Sequence, residues 1–265
     1  AEAIYEGQRK AAPDQRVFIL TRSGYAGQQR YGAASWSGDI TSSWTAMKKQ
    51  IIAGTDYSIS GMPYWTMDSG GFSVPGKWSG RNAKAEDVEE WRELNARWFE
   101  FAAFVPLLRV HGESPFREMW QFGGEDSEAY KAMLKADKLR YRMLPYIYSL
   151  AGDVTQKEGT FMRPLVMDFA GDARARTLTD EYMFGPAFLV TPVTQYKARE
   201  WEAYLPETKG GWYDFWSGKA EAGGDIVREA APLDQMPLHV RAGSIVPLGP
   251  DQQYVGEKPA DALAV

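Results

Sequence analysis

The order of apolar runs and polar side chains over the first 150 positions constrains this chain more than any other feature. Short strand-like runs at 17–20, 57–65 and 105–110 alternate with helical patterns at 1–12, 41–53, 85–104 and 126–150. Just past the strand ends stand side chains able to do chemistry: Arg22, Asp39, Asp68 and His111. Strands alternating with helices, with functional groups gathered at the carboxyl ends, are the layout of a parallel (β/α) barrel. Such a barrel closes with eight strand units, and only about four are legible here. The expected fold class is therefore α/β: the C-terminal half of a TIM-type barrel over 1–154, followed by an all-β sandwich.

The stretch TRSGYAGQQRYGAASWSGDITSSW, residues 21–44, is the densest in candidates. It carries Arg22 and Arg30, and sets Asp39 between small residues close to Trp36. Asp39 can be read as a catalytic acid or as the N-cap of the helix that opens at Thr41-Ser42-Ser43, since Asp is a favoured cap. Arg22 can face a substrate or form a rim salt bridge of little worth. Asp68 can present a carboxylate or stabilise the Ser69-Gly70-Gly71 turn. His111 stands at a strand end, whereas His239, inside Leu238-His239-Val240, reads as structural. Arg30 stays open between the site and its own loop. Val88, Trp91, Trp98 and Ala102 recur at helical spacing, so those two tryptophans read as packing rather than as sugar platforms. The long helix over 126–150 is expected to kink at Pro145 and to stop at Gly152.

Beyond Gly152 the composition changes. Segments 160–169, 181–194, 201–205, 211–216, 225–229 and 236–248 are strand-like and separated by Pro, Gly and Asp. They are read as a proximal C-terminal β-sandwich over 155–250, and the polar residues 251–265 as the opening of a further, truncated domain. The chain has no cysteine and two histidines, which excludes disulfides and thiolate metal sites and leaves no metal or cofactor expected. A net charge of -5 without a basic stripe argues against nucleic-acid or membrane-surface partners. No apolar run approaches the roughly 18 residues of a membrane span. The missing cysteines suit an oxidising compartment, so a bacterial periplasmic or secreted setting is expected ahead of a cytoplasmic one. Oligomeric state is left unassigned. Ten tryptophans fit either a packed core or aromatic surfaces for sugar faces.

Taken together, several segments resemble glycoside hydrolase family 31, the α-glucosidases and α-xylosidases. RSGYAGQQRYGAASWSGDITSSW resembles its acid/base segment, GMPYWTMDSGGF its next strand end, and RWFEFAAFVPLLRVHG the helix and strand that bring in a sugar-binding histidine. LRYRMLPYIYSL, MRPLVMDF, FGPAFLVTPV, WYDFWSG and PLHVRAGSIVPL continue the resemblance in order. The resemblance implies a retaining mechanism with two carboxylates acting on an oligosaccharide. By position it implies Asp39 as general acid/base, with Arg22, Asp68 and His111 binding the sugar, Trp36 and Phe72 lining its pocket and Trp65 shaping the far wall. The family's nucleophilic aspartate lies on an earlier strand, and Glu2, Glu6 and Asp14 sit in no matching motif, so no nucleophile is assigned. This chain alone is then expected neither to close a barrel nor to turn over. Trp65, three residues before Asp68, resembles the α-xylosidase branch, where a bulky wall would exclude the hydroxymethyl group that glucose has and xylose lacks. An α-glucosidase, an α-transglucosylase or a non-catalytic carbohydrate-binding relative are the alternatives.

Overall fold

A computed structural model describes residues 1–259 and 263–264. After α1 (Glu2–Ala11), three short parallel strands, β1 (Ile19–Thr21), β2 (Ala33–Trp36) and β3 (Trp65–Thr66), lie side by side in that order. A single 3-10 turn, Gln28–Tyr31, joins β1 to β2, and α2 (Trp44–Ile59) crosses from β2 to β3. Strand β2 was not separable in sequence from the loop around it; Asp39 follows β2, and Arg22 follows β1. The run 57–65 is also divided differently. Tyr57, Ser58 and Ile59 form the last turn of α2, because the buried stripe Met47, Ile51, Gly54, Thr55 and Ser58 continues the helical period.

Helices α3 (Gly76–Ser79) and α4 (Ala85–Ala102) follow. Segment 105–110 forms no regular strand. It touches β3's extension at one bridge, Ser69 to Val110, and Leu107 O accepts a bond of 2.6 Å from Thr66 Oγ1. Pro106 has no N–H to give to a ladder. The carbonyls of Ala103, Val105 and Pro106 are instead held by the buried Arg140 guanidinium at 2.8, 2.6 and 2.9 Å. That arginine stands on α5 (Glu128–Arg142). The chain then breaks at Met143 and resumes as α6 (Leu144–Lys157), so the expected kinked helix is two helices. Pro145 sits in the first turn of α6, where its missing N–H goes unneeded. Gly152 is passed without a stop, and Glu158, at φ 57°, ends the helix.

Residue alternation along the strands fixes what faces what. Ser35 and Trp65, paired in register, turn toward α2: Ser35 shares hydrogen bonds with Gln28 and Tyr57 at 2.7 Å each. Trp36 and Thr66 are paired on the opposite face.

The second half is antiparallel. It comprises β4 (Met162–Pro164), the short α7 (Leu165–Asp168), β5 (Tyr182–Phe184), β6 (Phe188–Val190), β7 (Glu200–Leu205), β8 (Trp212–Asp214), β9 (Ala220–Glu221), β10 (Asp225–Ala230) and β11 (Leu238–Arg241). Six strands run β4-β5-β6-β11-β8-β9, and β10 pairs with β7 as a second sheet. Leu165, Met183, Leu189, Leu205 and Trp212 form the core between them. Residues 251–259 hold no helix or strand, and part of the tail expected to open another domain lies outside the described residues. Among the described residues no helix is long and apolar enough to cross a membrane.

Among the contacts that join the halves, two are deeply buried. Phe104 meets Phe184 and Phe188 edge-on at 5.8 and 5.7 Å, a geometry that aromatic pairs prefer. Arg97 of α4, 1% exposed, donates to the carbonyls of Ala198, Ala231, Pro232 and Gln235 at 2.6–3.3 Å and pairs with Glu100 at 3.2 Å. Removing one partner of such a buried network strands the others without water. Arg97→Met is therefore expected to cost about 3–5 kcal/mol of stability, read as a lowered midpoint in thermal unfolding. A variant melting with its parent would show that the weld contributes nothing.

Candidate active site

The loops after β2, after β3 and after segment 105–110 are stitched to one another by main-chain hydrogen bonds. Phe72 and Ser73 N–H donate to Ile40 O at 2.7 and 3.1 Å, and Ser42 N–H donates to Ser73 O at 2.8 Å. On the other side Glu113 N–H donates to Phe72 O at 3.0 Å. Gly70 and Gly71, at φ 84° and 85°, make the close approach possible. A Cβ on Gly71 would stand 2.6 Å from the Ser42 backbone, and one on Gly70 2.0 Å from Asn95 Oδ1. No side chain fits there.

On this floor stand most of the expected residues. Asp39 and Arg22 approach at 3.5 Å, both open to solvent, with side chains 45% and 60% exposed. Gly38, at φ 85°, brings the chain so near Arg22 that a Cβ would lie 3.1 Å from its Nε. Asp39 does not cap α2. Ser43 does, its side chain accepting from Ala46 N–H at 3.0 Å, so the helix needs nothing from Asp39.

Asp68 is the opposite kind of acid. It is fully buried, and among the described residues neither carboxylate oxygen accepts a hydrogen bond. Burial pushes its pKa up, Asp39 adds to the rise, and Arg109, His111 and Arg117 oppose it. Arg109 Nη1 lies 2.9 Å from Asp68 Oδ1, and the same guanidinium sits 5.6 Å above the Trp36 ring. Phe72 and His111 lie ring to ring at 5.7 Å. A buried carboxylate with unfilled lone pairs beside an arginine has the chemistry to accept hydroxyl donors.

Trp65 does not join this group. It is 3% exposed and faces α2, where a Cβ on Gly54 would stand 3.0 Å from its ring and 2.7 Å from Met162 Cε. Strand alternation turns it into the helix layer, away from the face of Trp36. Arg30 bonds Gly27 O at 3.1 Å within its own loop. His239 is wholly buried in the sandwich.

Two arginines escaped the sequence reading. Arg109 was within reach, because it lies two residues before His111 and an extended chain turns both to one side. Arg117 gave no such signal. It is 4% exposed and donates to backbone carbonyls of Gly71, Phe72, Glu113 and Pro115.

Both halves of the chain match known proteins. Residues 1–150 match the TIM-barrel domain of glycosyl hydrolases family 31, and residues 158–246 match that family's C-terminal domain. The chain is 46% identical to an α-xylosidase of Saccharolobus solfataricus over 93% of its own length and 32% of that protein's. It is 33% identical to α-glucosidase 2 of Bacillus thermoamyloliquefaciens over 94% of its length and 29% of that protein's. A crystal structure of a family 31 α-xylosidase from Xanthomonas citri superposes with a TM-score of 0.92 at 49% identity, covering 96% of this chain and 27% of the other. The chain thus spans about a third of the length of the curated relatives it matches. With both halves matched in order and at this identity, the chain belongs to glycoside hydrolase family 31.

Proposed function

We propose that these residues carry the acid/base side of a retaining exo-α-glycosidase, an α-xylosidase releasing α-xylosyl ends from xyloglucan-type oligosaccharides. The observation that carries the reading is the contrast of two neighbouring acids. Asp39 is solvent-open beside Arg22, and Asp68 is buried with its oxygens free of hydrogen bonds. An acid that must give a proton to the leaving oxygen and then take one from water has to be within reach of both. An acid that only holds hydroxyls is served by the second of these settings.

In this reading Asp39 protonates the glycosidic oxygen as the bond to the anomeric carbon breaks, and then activates the water that releases the sugar. Arg22 stands beside it at 3.5 Å. Asp68 and His111 take hydroxyls of the sugar, with Trp36 and Phe72 forming apolar walls. The nucleophilic carboxylate is assigned to none of the acids in residues 1–265. The barrel portion is proposed to span 1–154 and the sandwich 155–250. A periplasmic or secreted setting fits a chain without cysteine.

Preference for xylose rests on the α-xylosidase relatives at 46% and 49% identity, not on Trp65. A specific observation favours the second reading, an α-glucosidase: Trp65 packs against α2 and is not available to crowd a hydroxymethyl group.

Initial rates of the full-length protein on an aryl α-xyloside and the matching α-glucoside decide between them. The xyloside is expected to be faster, and Asp39→Ala to lower its rate by about 10²–10⁴-fold, the usual worth of general acid/base catalysis. A faster glucoside would make the enzyme an α-glucosidase, and no rate on either would favour a carbohydrate-binding relative. Trp65→Thr supplies a separate test of the placement. It is expected to destabilise by about 3–5 kcal/mol, as large-to-small core changes do, while leaving the xyloside-to-glucoside ratio unaltered. A changed ratio at unchanged stability would return Trp65 to the pocket.

A further inference from the structure

We infer that Arg117 is a positioning residue of the site, fixing Asp68 and Phe72 relative to His111 by hydrogen-bonding the backbones of both their loops. The inference deepens the function proposed above and rests on it. Arg117 Nε and Nη2 donate to Gly71 O at 3.1 and 2.9 Å, and Nη2 also reaches Phe72 O at 2.8 Å. Nη1 donates to Glu113 O at 2.9 Å and to Pro115 O. One planar group therefore ties the loop carrying Asp68 and Phe72 to the loop that leaves His111. A guanidinium is suited to this: its donors are fixed in a fork, whereas an ammonium offers a point charge on a flexible stem.

The neighbourhood is cut to the shape of this one side chain. Gly112, next to His111, leaves the space the guanidinium occupies: a Cβ there would stand 2.7 Å from Arg117 Nη2 and 2.8 Å from Phe72 O. The Trp91 ring of α4 lies 5.7 Å from Arg117 Cζ on another side. Among the described residues the charge has no carboxylate ion pair. Burial lowers the guanidinium's pKa, and the nearby charges of Glu113, Asp68 and Glu118 oppose that shift. A surface arginine would hold a loop with far less desolvation, so the burial is explained by a demand for fixed geometry. Displacements of about 1 Å at a reacting centre cost on the order of 10²-fold in rate.

The test uses the full-length protein and an aryl α-xyloside. Arg117→Lys keeps charge and bulk but cannot serve both loops at once. It is expected to lower kcat/KM by at least tenfold, with most of the loss in kcat, at a melting temperature close to the parent's. Arg117→Ala is expected to lose on the order of 10²-fold and to recover part of its kcat when guanidinium ion is added at millimolar concentration, which leaves the parent unchanged. A role in stability alone would show a lowered melting temperature with normal kcat in the surviving fold, and no rescue. Either an Arg117→Lys enzyme within threefold of the parent or an alanine variant indifferent to guanidinium would overturn the inference. Amide exchange separates this failure from failure of the proposed function. If the parent is inactive on all glycosides, the Glu113 and Phe72 amides should still exchange faster in Arg117→Lys, and unchanged exchange would dispose of the tie itself.

Discussion

The site depends on main-chain hydrogen bonding between successive loops more than on any side-chain pair. Strands of two to four residues give a short ladder, and past β3 the order is continued by Phe72 and Ser73 bonding to Ile40 and by Glu113 bonding to Phe72. Each of these bonds is worth about 1 kcal/mol net. Together they hold three loops in one register, so a side chain on one loop has a defined neighbour on the next. Gly70, Gly71 and Gly112 are the condition for this: at each, a Cβ would penetrate a neighbouring backbone or a buried polar group.

From that scaffold the electrostatics follow. Asp68 is carried by the tight loop into full burial, where an isolated carboxylate is costly, and the structure answers with Arg109 at 2.9 Å rather than with hydrogen bonds. Its oxygens keep acceptor capacity that a well-bonded structural aspartate would have used up. Arg109 gains a second support from Trp36, and so links the β2 strand end to the loop before His111. Asp39, by contrast, is open to solvent. Two acids on adjacent loops thus stand in opposite environments.

How much of this could be read beforehand depended on the range of the interaction. The barrel-then-sandwich order and the residues at strand ends were legible, because period-2 and helical patterns are local. Strand β2 was not, since Ala33-Ala34-Ser35-Trp36 is small and polar enough to pass for loop, and only its pairing with β1 and β3 makes it a strand. Tyr57 and Ile59 look β-forming in isolation, yet the buried face they continue belongs to α2. Arg117 was invisible for a related reason. Its partners are carbonyl oxygens, which every residue has, so no residue type in the sequence marks them.

Trp65 teaches the sharpest version of the same point. Its distance from Asp68 in sequence was legible, but the face it occupies follows from counting along an extended chain. An odd separation of three puts Trp65 and Asp68 on opposite sides, and an even one, as from Thr66 to Asp68, puts them on the same side. The register of Ser35 with Trp65, and the bonds of Ser35 to Tyr57 on α2, fix which side is which. Selectivity between xylose and glucose cannot then be argued from bulk at position 65. The groups proposed to bind hydroxyls, Arg22, Asp68 and His111, would face features that both sugars share. Discrimination has to come from whatever meets the one substituent that differs.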